Sequence, residues 1–372
     1  MMRKIIFKLH LYASLSLGVF VVILGITGSI MAFEPELDRL FHPGLSYVKP
    51  QPQALSLAEI SAAVSKVLPN GHIQSYVLST SPDISYQVVT DQGLVYVNQY
   101  TGQILGRQQA PDRISRALNF VHQLHLRLAI TNQADTGKEI MKWVGMLTVF
   151  LLLSGLYLWW PAKRITIRRR APARRFWFDL HNSVGIFSLV FLVTLATTGV
   201  IIGFDDKTTP WLYRMTATQP YLVYNRAAKF EVTPPAGMKP ITPDLAMEIA
   251  RATLPGAAPF SVNIPGPKGV YTIRSRYPED RTSGGRSQVI IDQYTGKVLA
   301  AEGSRTAPAG SRLVTVNRAI HTGDVFGIPS KTIMSLASLM LVMQLISGVS
   351  MWWKRERKQR TTKPLGAAVP QP

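Results

Sequence analysis

Apolar and polar stretches alternate along this chain on the scale of whole helices. Residues 11–33, 143–160, 182–204 and 332–353 are strongly apolar and carry no charged side chain. Roughly 20 residues at about 1.5 Å each cross the hydrocarbon core, so each run predicts a membrane-spanning helix. Run 143–160 is the shortest, and Ile140 and Met141 extend it. Long polar regions follow the first and third runs. Within them, residues 55–68 and 242–254 place apolar side chains at helical spacing, whereas 86–90 and 270–274 alternate as strands do. The pattern therefore predicts four spans and two small α+β modules outside the bilayer.

Charge orients the spans. Residues 1–9, 161–175 and the tail after Trp353 together hold 16 basic residues and one acid, or +15 of the formal +20. Excess Lys and Arg in short flanking segments marks the cytoplasmic side, which puts both termini inside and both long loops outside. So basic a chain also raises nucleic-acid binding, but the charge sits at span boundaries and no nucleic-acid motif accompanies it. The first apolar run is too long for a signal peptide, lacks a small-x-small cleavage site, and reads as an uncleaved anchor. With no cysteine, disulfides, thiolate ligands, covalent c-type haem and cysteine-held iron–sulfur clusters are excluded.

The chain repeats itself. His10 and its apolar run match His181 and its run 171 residues later, in register through Thr27-Gly28/Thr198-Gly199 and Phe33/Phe204. Residues 97–105, Val-Asn-Gln-Tyr-Thr-Gly-Gln-Ile-Leu, return at 291–299 as Ile-Asp-Gln-Tyr-Thr-Gly-Lys-Val-Leu. The Tyr-Thr-Gly step ahead of a second strand predicts a hairpin turn with Gly at positive φ. Ser154-Gly155 with Trp159-Trp160 returns as Ser347-Gly348 with Trp352-Trp353, and His125 returns as His321. Two such units in one orientation imply a pseudo-twofold axis along the membrane normal. A histidine duplicated near the end of a span suggests a metal or haem centre on that axis, since a buried ionisable group is costly unless paired or used.

The ordered, duplicated motifs resemble the PepSY-associated transmembrane family, the iron-regulated membrane proteins, over nearly the whole chain. The resemblance implies an α-helical membrane protein of four transmembrane helices with two periplasmic α+β PepSY-like modules, built by tandem duplication. Its expected divisions are 1–33 (first span), 34–110 (module), 111–160 (outer helix and second span), 161–175 (basic loop), 176–204 (third span), 205–310 (module), 311–353 (outer segment and fourth span) and 354–372 (tail). It further implies an inner-membrane oxidoreductase carrying two b-type haems that reduces a periplasmic ferric siderophore or other ferric chelate for iron uptake. Bis-imidazole ligation needs two facing neutral rings, and symmetry offers His10 with His181 and His125 with His321 as haem-iron ligands. His122 is the alternative to His125. The outer modules carry no catalytic constellation, no Gly-x-Ser-x-Gly, His-Glu-x-x-His or P-loop, and the electron donor stays open between a membrane quinol and a cytoplasmic source.

Several residues carry weaker expectations. Propionate partners are sought among Arg113, Arg116, Arg127, Arg312 and Arg318 outside, and Arg3, Lys4, Lys8, Arg174 and Arg175 inside. Outer aromatics (Tyr76, Tyr86, Tyr96, Tyr100, Trp211, Tyr213, Tyr221, Tyr224 and Tyr294) are candidates for a chelate platform, with ordinary packing as the plainer reading. Small residues below His10 and His181 suit close approach of a macrocycle or of another helix. His42 and His72 lack counterparts and are expected to be solvated. The rival functions are a non-enzymatic module that binds or inhibits a peptidase or senses a ligand, and a metal permease. The absence of a carboxylate from the four runs argues against the permease.

Overall fold

The computed structural model describes residues 1–132, 134–161, 163, 165–219, 230–282 and 284–361. Tyr221, Tyr224, Arg164 and Lys363 fall outside them. The chain divides into a helical unit (residues 1–33, 119–205 and 320–372) and a sheet unit (34–118 and 206–319).

In the helical unit each apolar run becomes a long helix: α1 (Met2–Met31), α6 (Ala134–Trp159), α7 (Ala173–Gly203) and α11 (Ile328–Thr361). All four are long and apolar enough to cross a membrane. Helices α1 and α7 each pack against both α6 and α11. Polarity is inverted relative to a soluble bundle. Val19, Phe187 and Val190 are exposed, while Thr27, Ser154, Ser188, Thr198, Ser338 and Ser347 are buried. Small hydroxylated side chains at helix contacts bond back to their own helix and let backbones approach, as lipid-exposed bundles require. The small-residue stripe below His10 serves this packing in part. Gly18 meets Leu345, and a Cβ on Gly25 would lie 2.7 Å from the carbonyl of Ser338.

Helix α7 starts nine residues before the apolar run 182–204. It carries Asp179, buried, with Arg175 Nε 2.9 Å from its Oδ1. The apolar run marks only the stretch matched to hydrocarbon. The helix continues through the basic segment because helical backbone needs no apolar side chains to satisfy its hydrogen bonds.

In the sheet unit the expected strands form, and the two halves join. Strands β1 (Ile73–Val77), β2 (Tyr86–Thr90), β3 (Gly93–Val97), β4 (Ile104–Gln108), β5 (Ala258–Asn263), β6 (Val270–Arg276), β7 (Ser287–Asp292) and β8 (Val298–Glu302) make one antiparallel sheet. Its order is β4-β3-β2-β1-β5-β6-β7-β8, closed at the centre by Tyr76 opposite Val262. The sequence predicts two modules, and the structure merges their strands into one sheet. Pairing β1 with β5 removes an exposed edge from each, a liability in an isolated four-stranded sheet. Helices α4 (Leu57–Val67) and α9 (Pro243–Thr253) share one core with the strands: Ile60, Val64, Ala246 and Ala250 pack with Val88, Val95, Val262, Ile273 and Val289. Shorter helices are α2 (Glu34–Phe41), α3 (Pro43–Ser46) and α8 (Asp205–Met215).

The repeated Gln-Tyr-Thr-Gly motif is a structural clasp. Gln99 Nε2 donates to Pro82 O (3.2 Å) and Ile84 O (3.0 Å), and Gln293 Nε2 to Gly266 O (2.7 Å) and Gly269 O (2.8 Å). Tyr100 and Tyr294 hydroxyls donate to Pro82 O and Pro267 O. Gly102 and Gly296 sit at φ 70° and 71°, the left-handed region the hairpin predicted.

Candidate functional site

Four histidines of the helical unit meet in two pairs. His10 of α1 faces His181 of α7 with ring centres 6.5 Å apart and planes at 89°. His125 of α5 (Arg113–Arg127) faces His321 of α10 (Ala309–Thr322) with ring centres 6.4 Å apart and planes at 50°. The ring that meets His321 is thus that of His125. His122 lies one turn earlier on the same helix.

Each ring meets a hydroxyl through Nδ1, and His321 Nδ1 also lies 3.1 Å from Leu195 O. His10 Nδ1 lies 2.8 Å from Ser154 Oγ, and His181 Nδ1 lies 3.0 Å from Ser347 Oγ. His125 Nδ1 lies 2.9 Å from Thr27 Oγ1, and His321 Nδ1 lies 3.1 Å from Thr198 Oγ1. A glycine follows each hydroxyl residue, and the ring lies against it. A Cβ on Gly199 would come within 2.9 Å of His321, and one on Gly28 within 3.2 Å of His125. Gly155 and Gly348 leave ordinary contact, 3.4 Å and 3.7 Å, to His10 and His181. The dipeptides Thr-Gly and Ser-Gly were visible as repeats. Only the structure gives them a role, because each histidine is 98 to 166 residues from its hydroxyl.

The spacing suits a shared metal. Two imidazole–metal bonds of about 2.0–2.1 Å, with about 1.1 Å from each nitrogen to its ring centre, ask for centres about 6.3 Å apart. Burial holds the His125 pKa down at about 4, so the ring is neutral as a ligand must be. These residues fit a bis-imidazole haem at each pair.

The other candidates sort themselves. Arg3 donates to Leu158 O (3.1 Å), Arg312 to Ala307 O (2.8 Å) and Arg305 O (3.0 Å), and Arg175 pairs with Asp179. Arg127, two residues past His125, keeps a buried Nε without a hydrogen-bond partner among the described residues, which suits an incoming carboxylate. Just past His321, Asp324 accepts from Thr322 Oγ1 (2.8 Å) and pairs with buried Lys331 (3.5 Å), a cluster the sequence did not single out.

His72 is exposed as expected, near Asp91. His42 is not solvated. Its side chain is 11 % exposed and lies between Asp112 Oδ2 (2.6 Å) and Asp38 Oδ1 (3.1 Å). Asp112 also caps α5 through the Ser115 amide (2.8 Å).

The model of the PepSY-associated TM region family matches residues 7–355. The chain belongs to that family, and with its four apolar helices it is a multi-pass membrane protein. No curated protein matches it.

Proposed function

We propose that this member of the PepSY-associated TM region family is a haem b oxidoreductase of the bacterial inner membrane that reduces a ferric siderophore, or another ferric chelate, on the periplasmic side. We infer that it arose by tandem duplication. The observation that carries the reading is the two pairs of facing imidazoles, 6.5 Å and 6.4 Å between ring centres, each ring meeting a hydroxyl through Nδ1.

Haem b bound at each pair would supply a reversible one-electron iron couple. His10 and His181 would hold one iron, His125 and His321 the other. The hydroxyls of Ser154, Ser347, Thr27 and Thr198 orient those rings, and the surrounding apolar helices keep water away. The basic ends, with Arg3, Lys4 and Lys8 nearest His10, favour a cytoplasmic position for the first pair and a periplasmic one for the second. A quinol or a cytoplasmic donor would deliver electrons at the first. At the second, one electron turns chelated Fe(III) into Fe(II), which hard oxygen ligands hold more weakly.

The test is a visible spectrum. Protein purified from haem-replete cells should show a low-spin, six-coordinate b-type spectrum, and its haem should extract into acidic acetone. A colourless preparation would overturn the reading in favour of a sensory or peptidase-binding module.

A further inference from the structure

We propose, building on the haem reading, that Thr27, Ser154, Thr198 and Ser347 are positioning residues that fix the tautomer and ring plane of the four histidines. Each hydroxyl carries a single hydrogen, and each gives it to a carbonyl of its own helix. Thr27 donates to Ile23 O (2.5 Å), Thr198 to Thr194 O (2.6 Å), Ser154 to Leu151 O (3.1 Å) and Ser347 to Met343 O (2.6 Å). The oxygen toward the histidine can then only accept, so Nδ1 must be the protonated ring nitrogen. That tautomer leaves the lone pair on Nε2, the atom a bis-imidazole site needs. The partner of a ligand's second nitrogen sets both its orientation and its basicity.

The glycine beside each hydroxyl completes the device. The hydroxyl anchors one edge of the imidazole while the missing Cβ lets the ring rest on the helix, most tightly at Gly199 and Gly28. Four independent contacts, from four helices, repeat this arrangement. A hydroxyl accepts more weakly than a carboxylate, so the ligands keep neutral imidazole character. Removing the acceptor should make a ligand less basic and raise the midpoint potential of its haem. A carboxylate there should lower it.

The two pairs differ in ring angle, 89° against 50°. Perpendicular axial imidazoles give ferric low-spin haem a strongly anisotropic electron paramagnetic resonance signal, and a smaller angle narrows it. The His10/His181 haem should therefore give the more anisotropic signal, and each signal should report its own hydroxyls.

The experiment uses detergent-purified full-length protein, with wild-type haem content measured first. If wild type lacks haem, the functional reading fails and not the assignment of these hydroxyls. With haem present, Ser154→Ala should raise the midpoint potential and shift the signal of the His10/His181 haem alone. Thr27→Val should do so for the His125/His321 haem alone, and Ser154→Asp should lower the potential. Haem affinity should fall about tenfold or more in the Ala and Val variants. Thr27→Ser and Ser154→Thr should restore both readouts. Should Thr27→Val lose its haem while Thr27→Ser keeps it, the hydroxyl is again the cause. The proposal is overturned if the Ala and Val variants match wild type in potential and spectrum, or if Thr27→Ser fails together with Thr27→Val.

Discussion

His10 and His181 come from different halves of the chain, yet their rings meet at 6.5 Å. If they share one iron, either substitution to Ala must abolish the same six-coordinate signal and leave the other haem intact. His72→Ala should lose none. Haem quantitation with resonance spectra of the three variants decides this, and different losses for His10→Ala and His181→Ala would break the pairing. The pairs were legible in sequence because duplication gave each histidine a counterpart. His42 was misjudged for the converse reason: it has no counterpart, and Asp112 lies 70 residues away. Burial works against its charged form, but Asp112 and Asp38 outweigh that and raise its pKa. The Ser115 amide, then His42, lowers that of Asp112. A raised histidine pKa stabilises below the unfolded value near 6.5, and that contribution fades as pH rises through the folded value. The depressed Asp112 contributes above its unfolded value of 3.8 and is lost toward acid. The Tm difference between wild type and His42→Asn should therefore shrink as pH goes from about 5 to about 8. A constant difference would dismiss the charge pairing.

Among the elements, strands and sheet helices were legible because the two periods, 2 and 3.6, differ sharply. Residues 86–90 match β2, and 55–68 and 242–254 enclose α4 and α9. What periodicity does not carry is how elements grip one another. Asp244 in the first turn of α9 accepts from the Leu57 and Ala58 amides (2.7 Å and 2.9 Å), capping α4 across 187 residues of sequence. Buried Gln99 was part of a recognised motif, but its two carbonyl partners belong to the preceding loop. Gln99→Leu would leave those carbonyls unpaired at about 1–3 kcal/mol. Its haem spectrum should match wild type while its unfolding midpoint falls, as chemical denaturation would reveal. A changed haem spectrum would mean that the clasp does more than close the sheet. The spans behaved differently, since apolar length marks hydrocarbon and not helix ends. Asp179 thus lies in α7 outside the apolar run, buried and paired with Arg175, while the run itself holds no acid.

On the scale of the whole molecule, the two histidine pairs sit far apart along one helix. His10 lies on α1, and His125 bonds to Thr27 of the same helix, so the 17 intervening steps put the pairs about 25 Å apart. That separation is most of the ~30 Å hydrocarbon core. A protein with only one pair could exchange electrons at one face, whereas two pairs at opposite ends suit transfer between faces. Direction then depends on the basic segments, which by the positive-inside rule would put the His10 end inside. In proteoliposomes whose orientation is assigned by protease access to residues 161–175, reductant is enclosed or added on the side of those residues. A membrane-impermeant ferric chelate with a ferrous trap is placed opposite. Haem reoxidation should be fast in this arrangement. It should slow roughly tenfold or more in His125→Ala or His321→Ala, and little in His72→Ala. Stopped-flow absorbance follows the haem while the trap counts Fe(II), and the Fe(II) formed must match the electrons drawn from the reductant one to one. If reoxidation is no faster than buffer controls with every chelate, the reductase reading fails. If it is fast only when the chelate shares the side of residues 161–175, chemistry survives but the orientation is reversed.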